Sequence, residues 1–101
     1  MLLYNTTFGV DKAVQDKFLQ WLRLEFIPVS TDSEYLSQPE LFRVNSNALD
    51  PSMANFALHF RAESREDIEN WYEDHGSSLF DQIMQIWNGQ VVFFSTTLEA
   101  I

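Results

Sequence analysis

The feature that most constrains this chain is a change of hydrophobic period that happens twice. Residues Leu2 to Phe8 alternate, with Leu2, Tyr4, Thr6 and Phe8 on one side and Leu3, Asn5 and Thr7 on the other, as in a strand with one apolar face. Gly9 then predicts a break. From Asp11 the period lengthens: Asp11 is placed to cap a helix, and Val14, Phe18, Trp21, Leu22 and Phe26 recur at three- and four-residue steps until Pro28. The spacing predicts an amphipathic helix over 12–27. Val29 to Pro39 is rich in Ser, Thr and Asp and predicts a loop with one irregular helical turn, pinned by Tyr35 and Leu36.

The same switch recurs downstream. Leu41 to Asn47 and Met53 to Ala62 alternate on either side of Asn47-Ala48-Leu49-Asp50-Pro51-Ser52, a run of turn-forming residues, and so predict a hairpin. Ser64, with Asp67 three residues on, caps a second helix whose first turn holds Glu66, Asp67 and Glu69, where the helix dipole favours negative charge. Its stripe is Ile68, Tyr72, His75, Leu79, Ile83 and Ile86, and Asn88-Gly89 supplies the stop. A helical Gly costs about 1 kcal/mol relative to Ala, so Gly76 predicts a kink or a close packing contact. Val91 to Leu98 is β-branched and aromatic, a closing strand. The order βαββαβ predicts one domain over residues 1–101. Right-handed crossovers then give an α+β ferredoxin-like sandwich, a four-stranded antiparallel sheet with both helices on one face.

Composition narrows the partners. The 15 Asp and Glu outnumber the 6 Lys and Arg, for a net charge of −9, which argues against nucleic acid and anionic membrane surfaces. The aromatic share of 15% is too high for a disordered acidic segment and implies a packed core. Without Cys there are no disulfides, thiolate metal sites or Cys nucleophiles, and a reducing cytoplasm fits. No secretion leader or membrane span is expected. Three glycines cannot build a phosphate-cradling loop, and consecutive Glu73-Asp74-His75 point about 100° apart on a helix, so no metal site is expected.

Splitting the strands by parity assigns Tyr4, Phe8, Phe42, Val44, Phe56, Leu58, Phe60, Val92 and Phe94 to the core face. The opposite face then collects Leu3, Asn5, Thr7, Leu41, Arg43, Asn45, Asn55, Ala57, His59, Arg61, Val91, Phe93, Ser95 and Thr97. A face with that many large apolar groups predicts a cover, and the economical cover is a second copy of the chain in a homodimeric barrel. Asn5, Thr7, Arg43, Asn45, His59 and Arg61 are then the candidate binding residues, suited to a small anionic or carbonyl-bearing ligand. No acid falls within the predicted strands, so that face is expected to be locally positive.

Five segments carry a resemblance: Tyr4-Asn5-Thr6-Thr7, Phe18-Leu19-Gln20-Trp21-Leu22 leading to Ile27-Pro28, Arg43-Val44, Trp71-Tyr72, and Phe94-Ser95-Thr96-Thr97-Leu98-Glu99. Nearly end to end, the chain resembles a family of short uncharacterised bacterial proteins, a domain of unknown function in the dimeric α/β-barrel group of ferredoxin-like folds. The resemblance implies a fold and a homodimer and no established activity. The same group includes cofactor-independent oxygenases of the antibiotic-biosynthesis type and haem-degrading enzymes. Asn5, Trp71 and His75 resemble by residue type the Asn, Trp and His used by the latter, which makes an oxygenase or haem-degrading enzyme the runner-up and haem the only cofactor implied. A purely structural dimerisation domain is the third alternative.

Overall fold

The computed structural model describes residues 1–45 and 50–101; residues 46–49, the end of the predicted 41–47 strand and the start of the predicted turn, lie outside them. The elements are β1 (Leu2–Asp11), α1 (Gln15–Trp21), α2 (Ile27–Asp32), β2 (Ser37–Arg43), β3 (Met53–Ala62), α3 (Arg65–Trp71), α4 (Ser77–Ile86) and β4 (Val91–Glu99). A π-turn, Leu22–Phe26, joins α1 to α2, and a second, Tyr72–Gly76, joins α3 to α4, so the chain has two long helices, each widened once. The four strands form one antiparallel sheet in the order β2-β3-β1-β4. This is the βαββαβ sandwich.

Both predicted caps form. The Asp11 carboxylate accepts from the Ala13 amide at 2.9 Å, opening a short 3₁₀ turn before α1, and the Ser64 hydroxyl accepts from the Asp67 amide at 3.1 Å. Gly89, at φ 80°, lies in the left-handed region after α4.

Two expected stops fail for identifiable reasons. Gly9 does not end β1, which runs on to Asp11 paired with Met53 on β3 and, as far as Val10, with β4. Pro28 does not end the first helix, which continues to Asp32. The π-turn before it has the Ile27 amide donating five residues back to the Leu22 carbonyl, and the widened turn admits a ring that a regular ladder would exclude. The predicted loop therefore shrinks, with Leu36 fully buried as its pin and Tyr35 half-buried.

The second π-turn shifts the apolar stripe by one residue. Ile68 and Trp71 face inward before it, and Leu79, Phe80, Ile83 and Trp87 after it, whereas Tyr72 and Ile86 of the expected stripe are exposed and His75 is half-buried. Gly76 makes the predicted close contact, because a Cβ there would stand 2.6 Å from Cζ3 of Trp71. The core is an aromatic cluster centred on Phe26, whose ring lies 5.6–6.4 Å from those of Phe8, Trp21, Phe60, Trp71 and Phe80.

The edge strands overturn part of the parity assignment. On β1 and β3 the even residues face the helices, as expected. Directly opposed residues of antiparallel strands share a face, so Leu41 opposite Leu58 and Phe93 opposite Phe8 belong to the helix side. Phe42, Val44, Val92 and Phe94, assigned to the core, are instead exposed on the other face. The segments Leu41-Phe42 and Val91-Val92-Phe93-Phe94 are apolar at consecutive positions, so their alternation holds no parity information. β2 also starts at Ser37 and ends at Arg43 rather than spanning 41–47, with a bulge between Ser37 and Glu40 that takes in Gln38 (φ 50°) and Pro39.

Candidate functional site

The sheet face turned away from the helices is organised in rows. One row is polar: Glu40 of β2 pairs with His59 of β3, His59 with Asn5 of β1, and Asn5 with Thr96 of β4. The next is mostly apolar: Phe42, Ala57, Thr7 and Phe94 follow in the same strand order. On the other side of the polar row Arg61, Leu3 and Leu98 align. The edges carry the large apolar groups, with Phe94 63% and Phe42 46% exposed, and the two central strands carry the hydrogen-bonding ones.

Asn5 is the centre of this arrangement. Its Nδ2 donates to Thr7 Oγ1 at 3.2 Å, while its Oδ1 is buried with no partner among the described residues. Leaving such an atom unmatched costs about 1–3 kcal/mol when it is buried, which favours anything that completes it. His59 stands beside it with the Phe42 ring 5.4 Å away, and its two ring nitrogens can donate and accept.

Of the six candidate binding residues, Asn5, Thr7, His59 and Arg61 share this face. Arg43 and Asn45 do not join them. Arg43 pairs with Phe56, on the helix side, and its guanidinium lies 5.0 Å from the Phe56 ring centroid. Asn45 is exposed past the end of β2, in a shallow cleft with Lys12 and Arg43. Because β2 begins earlier than expected, Glu40 enters the sheet and offsets Arg61, so the face is not the positive surface its sequence suggested. Glu40, Thr96, Phe42 and Phe94 are the members that sequence reasoning missed. Pro39 was the available signal for Glu40, since Pro belongs to edge strands and bulges.

The set Asn5, Trp71 and His75 does not converge. Asn5 lies on the open face, whereas Trp71 is fully buried on the helix side with its ring 5.3 Å from that of Tyr4. His75 lies in the second π-turn. Burial raises the Tyr4 phenol above the usual tyrosine value, and the Ser95 and Thr6 hydroxyls moderate the rise. Among the described residues no three His, Cys, Asp or Glu side chains are grouped to hold a metal ion. No described helix is long and apolar enough to cross a membrane.

Residues 1–101 match the model of a family described as a domain of unknown function, DUF4286. A search of the curated proteins finds no match. Among solved structures, HapK from Hahella chejuensis superposes with a TM-score of 0.72 at 16% identity, covering 100% of this chain and 93% of that one. A candidate antibiotic biosynthesis monooxygenase from Nitrosomonas europaea gives 0.70 at 14% identity, covering 100% and 99%. A Dabb family protein with a ferredoxin-like fold from Mesorhizobium loti gives 0.65 at 11% identity, covering 100% and 98%. At these identities the likeness shows the fold alone, the ferredoxin-like sandwich.

Proposed function

The chain belongs to the DUF4286 family, and from that premise we propose that two copies meet open face to open face and enclose a small carbonyl-bearing ligand. The observation that carries this is the unmatched Asn5 amide beside His59, inside a border of exposed Phe42, Val92, Phe94 and Leu98. The apolar border supplies the area that association buries, and the polar centre supplies orientation. A ligand carbonyl would accept from His59 or Thr7, and a hydroxyl or amide of the ligand would donate to Asn5 Oδ1. Arg61 at the margin accommodates a negative group, with Glu40 setting a limit on how much negative charge is tolerated. We read the protein as cytoplasmic, with itself and a small molecule as partners and no nucleic acid, in keeping with its acidity and lack of Cys.

Sedimentation equilibrium at micromolar concentration tests the assembly: a dimer is expected, and Phe94→Asp should yield a folded monomer. A wild-type monomer overturns it. Calorimetric titration with 4-hydroxyacetophenone, a neutral carbonyl and hydroxyl probe, tests the ligand. Binding that Asn5→Leu weakens by about tenfold is expected, and a dimer indifferent to the probe would make the face a structural seam.

A further inference from the structure

A second cavity lies on the other side of the sheet, between β4 and the helix of residues 65–86. It measures about 350 Å³, within the range of small-molecule sites. Its wall is aromatic, formed by Tyr4, Tyr72, Phe80 and Phe93, and its one charged lining residue is Asp81; Ser95 adds a hydroxyl. Among the described residues no Lys, Arg or His lines it. At its rim Tyr72 and Met84 are each about half exposed, at 49% and 52%. Two large side chains left open to water beside one aromatic hollow indicate an unfilled contact surface and not a scatter of single exposed residues.

We infer that this cavity is a binding site for a small organic cation of the alkylammonium class. Aromatic faces attract a cation through their quadrupole, and they do so best for a weakly hydrated ammonium with alkyl substituents, which also buries apolar area against the exposed Tyr72 and Met84. Asp81 supplies the counter-charge from the edge. The chain's net charge of −9 raises the local concentration of cations around it and repels anions from the same hollow. Apart from Phe94, which reaches the hollow around the β4 edge and belongs to the open-face border, the lining lies on the helix side of the sheet, so the site does not require the open-face dimer.

Calorimetric or NMR titration with choline, and with its neutral isostere 3,3-dimethylbutan-1-ol, separates charge from shape. Choline is expected to bind about tenfold more tightly than the isostere. Asp81→Asn and Tyr72→Ala should each weaken choline several-fold with an unchanged circular dichroism spectrum, since both side chains are exposed. Glu73→Gln removes one acid from the same helix outside the cavity and should leave binding unchanged. Equal affinity for choline and the isostere, an equal loss in Asp81→Asn and Glu73→Gln, or no response to choline at tens of millimolar would each overturn the assignment.

Discussion

The two helices carry the same local irregularity and resolve it in opposite ways. Each has a Trp immediately before its π-turn, Trp21 in the first half and Trp71 in the second, and each π-turn ends five residues later, at Phe26 and at Gly76. In the first half the turn's last residue fills the core: Phe26 is fully buried and Trp21 is left half-buried beside it, ring centroids 6.0 Å apart. In the second half the Trp fills the core, and the turn's last residue must vanish beneath it. Trp71 is fully buried, and its ring occupies the space a Cβ of Gly76 would need. One volume is available at each position, and either the Trp or the residue five later takes it.

That exchange can be broken from either side. Phe26→Ala should have the largest effect, a loss of about 3–5 kcal/mol by urea denaturation, because it empties the point where five aromatic rings meet. A loss near 1 kcal/mol would mean that Trp21 sinks into the space, which would make the two halves more alike than their burial suggests. Gly76→Ala comes next. In an open helix the change would stabilise by about 1 kcal/mol, but against the Trp71 ring it should destabilise by about 1–3 kcal/mol. Combining it with Trp71→Phe, which removes the obstructing ring, should bring the Ala back towards neutrality in a double-mutant cycle. A stabilising Gly76→Ala on its own would show that the ring moves freely.

The smallest effect lies with Tyr4, which the second half seals from water through Trp71. Its folded value is raised above 10.0, the ordinary one. The stabilisation from its protonated form is therefore complete below pH 10 and declines as pH rises through the folded value, since the unfolded chain releases the proton first. Ultraviolet titration should show a phenol component, absent from Tyr4→Phe, that ionises above the ordinary tyrosine value, together with a fall in stability confined to the alkaline limb. A Tyr4 component that ionises at the ordinary tyrosine value would remove the distinction.

How far the sequence could be read depended on where each strand sits in the sheet. On β1 and β3, each flanked by two neighbours, polar and apolar residues alternate cleanly, so Asn5, Thr7, His59 and Arg61 could be placed on one face from parity alone. On the edge strands both faces are apolar at Leu41-Phe42 and Val91 to Phe94, because the helix side needs a core and the open side carries its own apolar border. Arg43 was therefore assigned to the wrong face, and Phe42, Phe94 and Thr96 were missed.

The sequence by itself determined the order of elements, both helix caps, the fold class and the polar centre of the open face. These follow from residue spacing and from side chains reaching backbone groups two or three positions away, interactions that the local chain contains in full. Tertiary structure decided which way the edge strands face, how Pro28 is accommodated, which of two neighbouring aromatics turns inward at each π-turn, and that Glu40 joins His59 and Asn5 in one row. Each of these depends on volume or pairing supplied by a segment distant in sequence, so no window of neighbouring residues contains the answer.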